Sequence, residues 1–207
     1  MRNIMKAATI ESKFPLLAVE HDCIISKDAD ITVAYRVELP ELFTVTNTEY
    51  EAIHSSWAKA VKVLPEYCVV HKQDWFVRET YKPQADKDDM SFLSRSFEKH
   101  FNERPFLNHS CFLFLTKTTK ERMRMQSNFS SLCRGNIIPK EVNKDTSVKF
   151  LEAVGQFERI INDSGFISLT HISSDEITGT GEIPGLIEKY FSLSLDDTTC
   201  LEDLELG

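Results

Sequence analysis

His109 and Cys111 stand two residues apart in the run Asn108-His109-Ser110-Cys111-Phe112. On a strand, that spacing sends both side chains to one face. An imidazole beside a thiol suggests either a Cys–His nucleophile or half of a zinc site. A structural zinc needs four ligands at compact spacing, and His100, on the segment before, is a third that can approach. A nucleophilic cysteine needs a lowered thiol pKa, and no G-x-S-x-G elbow occurs for a serine alternative. A cysteine inside an apolar run behaves mostly as a small hydrophobe. Neither catalytic residues nor a metal site are therefore expected here.

The other chemical signals are weaker. Asp22, Asp28 and Asp30 crowd a hairpin turn and read as turn formers rather than an acid–base pair. A phosphate-cradling loop requires G-x-x-x-x-G-K-[ST], because glycine N–H groups and a lysine must face the phosphates together. The sequence has no Gly-Lys pair, so no nucleotide site is expected. Gly179, Gly181 and Gly185 cluster around Pro184 without a strand immediately before them, and read as a flexible loop. The strongest asymmetry is Lys117–Arg134, where Lys117, Lys120, Arg122, Arg124 and Arg134 face Glu121 alone on a chain of net charge −8. Met123, Met125, Phe129 and Leu132 interleave with these charges. The pattern suits a partner-docking helix with adaptable methionines, or a solvated helix with an apolar underside.

The elements around these residues can be read from periodicity. Asp89–Leu115 predicts a helix followed by a strand, and this pair is expected to organise the fold. Phe92, Leu93, Phe97, His100 and Phe101 recur at helical spacing, and Pro105 ends the helix. Cys111–Leu115 is apolar at every position, as in a central strand covered on both sides. Upstream, Leu16–Val19 and Cys23–Ser26 read as short strands. Ile31–Leu39 alternates, with Ile31, Val33, Tyr35 and Val37 on one face. Thr46-Asn47-Thr48-Glu49 has the form of a capping box. It opens a helix with Tyr50, Ile53, Trp57, Ala60, Val61 and Leu64 as its stripe. Tyr67–Tyr81 alternates with mixed polarity, as an edge strand does.

Thr118-Thr119-Lys120-Glu121 is a second capping-box pattern, for a helix running to about Cys133. Thr146–Asn162 is a further helix, with Val148, Leu151, Val154, Phe157, Ile160 and Ile161 on its apolar side. Phe166–Ile172 reads as a strand and Leu186–Leu193 as a short helix. The fold class expected is α+β: a mixed, mostly antiparallel sheet with helices on one face. A split βαβ (ferredoxin-like) order with inserted helices and an N-terminal hairpin fits the element sequence. Residues 1–193 form the expected domain, and residues 194–207 an acidic tail.

The 207 residues, 42 % hydrophobic and 27 % charged, match an ordinary globular composition. The acidic balance argues against a domain built mainly to coat nucleic acid. Five scattered cysteines without a C-x-x-C pair suit a reducing compartment. No apolar run approaches the roughly 20 residues of a membrane span.

Several runs resemble the N-terminal region of the TraG family of conjugative-transposon transfer proteins, which look like VirB-type motor ATPases. They are ESKFPLLAVEHDCIISKDADITVAYRVELPELF, VHKQDW, SFLSRSFEKHFNERPFLNHSCFLFLTKTTKERMRMQSNFSSLCRG, QFERIINDSGFISLTHISSDEITG and YFSLS. The resemblance implies work at the cytoplasmic face of the inner membrane, energising a type IV secretion channel. It also implies that ATP and magnesium bind in a C-terminal ATPase domain beyond this sequence, to which the acidic tail would connect. This chain is then expected to be a non-catalytic docking domain without cofactors of its own. Its expected partners are other channel proteins and its own copies. The alternative is a nucleic-acid-contacting domain using the basic segment Lys117–Arg134.

Overall fold

In the computed structural model of the chain, the residues described are 15–27, 30–80, 91–102, 104–118, 144–181 and 183–192. The first strands form where the sequence turns tightly. β1 (Leu16–Glu20) and β2 (Cys23–Ser26) pair antiparallel across a two-residue turn, His21 and Asp22, both at positive φ. Those conformations match the right-handed twist of a hairpin. β3 (Ile31–Glu38) then pairs with β2 through Ile31–Val33.

A short 3₁₀ turn (Leu42–Thr44) leads to α1 (Asn47–Val63). Its capping box is complete: the Glu49 amide donates to the Thr46 hydroxyl, and the Glu49 carboxylate accepts from the Thr46 amide. Thr46→Ala should remove one of these bonds and cost about 1 kcal/mol, read as a lower urea midpoint. Pro65 follows the helix, and β4 (Cys68–Thr80) runs back along the sheet. α2 (Phe92–Asn102) and β5 (Pro105–Lys117) come next, then α3 (Lys144–Asn162) and β6 (Ser168–His171). The short helices α4 (Ser174–Thr178) and α5 (Leu186–Ser192) complete the described elements.

All five strand pairings among the described residues are antiparallel. β5 is central, with β3 on one side and β4 on the other. One edge of β3 is shared: β2 pairs with Ile31–Val33 and β6 with Tyr35–Glu38. Between them Ile172 donates its amide to the Ala34 carbonyl at 3.0 Å. The order β6-β3-β5-β4, with α1 and α3 as the crossovers, is the split βαβ arrangement, extended by the β1–β2 hairpin. The chain is thus α+β, as its element order predicts.

The alternation in β3 and β5 divides the core between two faces. Val33, Tyr35, Val37, Cys111, Leu113 and Leu115 meet α1 and α3 through Ala60, Phe150, Val154, Phe157 and Ile161. Ala34 and Phe112, on the other face, pack with Ile172, Ile177 of α4 and Leu186 of α5. Helices therefore cover both faces rather than one. The short α4 occupies a segment that reads as strand followed by loop, although Ser173-Ser174-Asp175-Glu176 caps it with a full capping box.

Other expectations change for packing reasons. The buried stripe of α3 contains Phe150, while Val148 and Leu151 are exposed, because only the 150, 154, 157, 161 row faces the sheet. Tyr50 and Val61 of α1 are likewise exposed. The helix expected to organise the fold contributes none of its described side chains to the core. Phe92, Leu93 and Phe97 are 81 %, 78 % and 65 % exposed; β5 is central as expected, and α2 stands apart from both core clusters. The Gly179–Gly185 segment is a closed turn rather than a flexible loop. Gly179 and Pro184 form a β-bridge, and the Thr180 amide donates to the Ile183 carbonyl at 3.1 Å. The second capping-box pattern and the helix expected to reach Cys133 lie outside the described residues, as does the acidic tail.

Candidate functional site

The β4–β5 register builds a polar cluster on the α1–α3 side of the sheet. Asp74 sits opposite Cys111, and Phe76 opposite His109. His109 Nε2 lies 2.9 Å from Asp74 Oδ1, Lys72 donates to Asp74 Oδ2, and the imidazole stacks on Phe76 at 4.6 Å. The Lys72 bond and then the His109 bond hold the Asp74 carboxyl at about 2, below its ordinary 3.8. Cys111 is buried, and that burial pushes its thiol up. The thiol is therefore protonated at neutral pH and a poor nucleophile. His109 engages the carboxylate, and His100 is exposed on α2. Among the described residues, no group of three or more His, Cys, Asp or Glu could hold a metal ion.

The lowered carboxylates have a consequence for acid stability. Asp74 is joined by Asp22, lowered by the Ser174 amide and hydroxyl, and by Glu176, lowered by the Ser173 amide. A folded pKa below the unfolded one contributes stability that is complete above the unfolded value and fades as pH falls through the folded value. The contribution of Asp74 is therefore present above about 4 and lost as pH approaches about 2. Asp74→Asn should flatten the pH dependence of the urea midpoint in that window and leave its slope above pH 5 unchanged.

The aspartates of the first hairpin do not converge. Asp22 and Asp30 occupy opposite ends of β2, and Asp28 lies outside the described residues. Asp22 instead fastens the β1–β2 turn to α4: its Oδ1 accepts from the Ser174 amide at 2.6 Å and from the Ser174 hydroxyl at 2.9 Å.

Of the basic segment, Lys117 lies at the end of β5. It donates to the Glu66 carbonyl, and its ammonium sits 5.4 Å from the centre of the Tyr67 ring. That charge is committed within the protein. Lys120, Arg122, Arg124 and Arg134 lie outside the described residues.

A cleft of about 290 Å³ opens on the opposite face, between the sheet and α4–α5. Two polar contacts line it: Arg36 pairs with Glu176 at 3.5 Å, and the Asn108 side-chain amide donates to Glu79 at 3.1 Å.

A further surface is an arm. β3 pairs with β5 only as far as Cys111, whereas β4 stays paired with β5 out to Thr80 and Pro105. Beyond Cys111, among the described residues, six rungs therefore run with no third strand, from Trp75–Ser110 to Thr80–Pro105. At about 3.4 Å per residue they extend roughly 20 Å. Phe76, Phe106 and Leu107 are exposed on this ribbon, and α2 follows β4 in the chain with Phe92 and Leu93 in water. Apolar surface on that scale is characteristic of an interaction site.

A family model described as "Domain of unknown function, B. Theta Gene description (DUF3875)" matches residues 3–55. That stretch includes β1 to β3 and the start of α1. No curated protein matches the chain.

Periodicity identifies Phe92, Leu93 and Phe97 as one helix face, but that face is not part of the core. The signal that distinguishes the two readings is strand length. β4 and β5 each run 13 residues against 8 in β3, so their ends must outreach the sheet. Among the described residues, no helix is long and apolar enough to cross a membrane.

Proposed function

We propose that this chain is a non-catalytic docking domain of a conjugative DNA-transfer motor ATPase, held at the cytoplasmic face of the inner membrane by the channel proteins it binds. The observation that carries the reading is the arm, whose aromatic and aliphatic side chains face water beside an otherwise well-filled two-sided core. A surface of that kind costs solubility unless a partner covers it. The resemblance to the TraG family's front region supplies the partner class, and in that reading ATP and magnesium act in a separate ATPase domain. The nucleic-acid alternative draws on the basic segment, whose described member, Lys117, is bound to Glu66 and Tyr67.

The test is a motor protein carrying Phe92→Ser and Leu93→Ser, compared with one carrying charge reversals at Arg122 and Arg124. The serine pair should leave cooperative unfolding intact while abolishing capture of the channel proteins and DNA transfer between cells. Unchanged capture would sink the reading. Loss of salt-sensitive DNA binding in the charge-reversed protein, with capture retained, would favour the nucleic-acid alternative.

A further inference from the structure

The outer edge of β4 presents one antiparallel register to an identical strand. Among the described residues no strand pairs with that edge, although the strand is 13 residues long. Side chains alternate along it, so two copies joined about an axis perpendicular to the sheet keep like-numbered faces together. Each such register is then defined by the residue that pairs with itself, and changing it changes every opposed pair.

Only one register centred on the arm brings opposite charges together. Centred on Phe76, it places Asp74 opposite Arg78 of the second copy, twice by symmetry, with Phe76 against Phe76 and Trp75 against Val77. Centred on Trp75, it would set Lys72 against Arg78 twice. Centred on Val77, it leaves both Asp74 and Arg78 without an opposite charge. Centres at Arg78 and Glu79 pair each with itself. Aromatic and opposite-charge pairs directly across a strand boundary stabilise it, and like charges destabilise it.

The charges needed are in place. Arg78 makes no ion pair among the described residues. The Asp74 carboxylate accepts from His109 on Oδ1, from Lys72 on Oδ2 and from the Cys111 thiol, which leaves one of its roughly four acceptor positions for the guanidinium. Phe76 is 64 % exposed and already braced by the stacked His109 ring, so little ordering is required to present it. A chain of net charge −8 repels its copies at long range. The arm strands are locally neutral, holding Arg78 and Glu79 over residues 75–80 and no acid or lysine over 105–110. The arm is therefore the place where two copies can approach.

We propose that two copies of this chain associate through β4, in the antiparallel register centred on Phe76, forming one continuous sheet across the pair. This gives one occupant of the arm surface on which the docking reading rests. It leaves α2, at the end of that arm, to other partners.

The experiment is analytical ultracentrifugation of the full chain with two charge variants, Arg78→Glu and Asp74→Lys. The wild-type chain should show a concentration-dependent dimer that weakens as salt rises. Each variant alone sets like charges in opposition and should lower the association constant by about tenfold or more. An equimolar mixture of the two should regain the dimer. In the mixed pair, Asp74 of the first variant meets Arg78 of the second, and the two introduced side chains, a carboxylate and an ammonium, meet each other. Arg78→Ala, a milder change at an exposed position, should weaken the dimer less. A monomeric wild-type chain, a dimer indifferent to both variants, or a mixture that stays monomeric would each overturn the proposal. Capture of channel proteins by the Phe92→Ser, Leu93→Ser motor reads the docking function separately, so the two can fail independently.

Discussion

Phe157→Ala should lower the unfolding free energy by about 3–5 kcal/mol, the cost of deleting a large buried aromatic whose site collapses only partly. Phe157 has no exposed surface and lies where α3 crosses the sheet. Its ring meets Trp57 of α1 edge-on, with centroids 5.8 Å apart, so one side chain joins both crossover helices to the β3–β5 face. Against a typical total of about 5–15 kcal/mol, that loss leaves a marginal protein. The expected observation is a lower urea midpoint with an unchanged slope. Phe157→Leu, which retains most of the volume, should cost about 1.5 kcal/mol or less. A loss below roughly 1 kcal/mol for the alanine variant would mean that α3 can settle onto the sheet without the ring.

Gly185→Ala should cost about 1–3 kcal/mol or more, as overpacking against backbone does, and should loosen the turn that holds α5. A β-carbon there would press on the Gly179 amide nitrogen, the Thr178 carbonyl carbon and the Ile177 carbonyl oxygen, all backbone atoms that cannot rotate away. The turn it would open also carries the Gly185 amide, which donates to Glu188 at 2.8 Å. Ile177 and Leu186 would then cover Ala34 and Phe112 less completely. Faster hydrogen exchange confined to residues 174–192 is the expected signature. Gly155 is the contrast: it lies within α3 with nothing within 4 Å of an added β-carbon. Gly155→Ala should stabilise by about 0.5–1 kcal/mol through helix propensity alone. Equal effects at the two glycines would refute this account of the turn.

The candidate surfaces are unevenly legible in the sequence. The spacing of His109 and Cys111 puts them on one face of a central strand, but their partner Asp74 lies on β4, and only the pairing register brings it opposite Cys111. The capping pattern at Ser173–Glu176 is present in the sequence, yet a five-residue helix leaves too short a periodic signal after a strand to be read. Phe92, Leu93 and Phe97 have the periodicity of a core helix. Hydrophobic spacing specifies a face but not whether anything lies against it.

By itself the sequence determined the local elements: the alternation of β3, the doubly apolar β5, the Thr46 capping box and the breaks at Pro65 and Pro105. These depend on neighbours within a few residues, where backbone hydrogen bonding and side-chain period act directly. Tertiary structure alone decided what those elements face. It set β6 beside β2 on one edge of β3, buried Phe150 in place of Leu151, and closed the glycine turn. Among the described residues, it also left the ends of β4 and β5 without a third strand. Register and crossover geometry join residues far apart in the chain, and no local pattern encodes which face of a helix will find a partner.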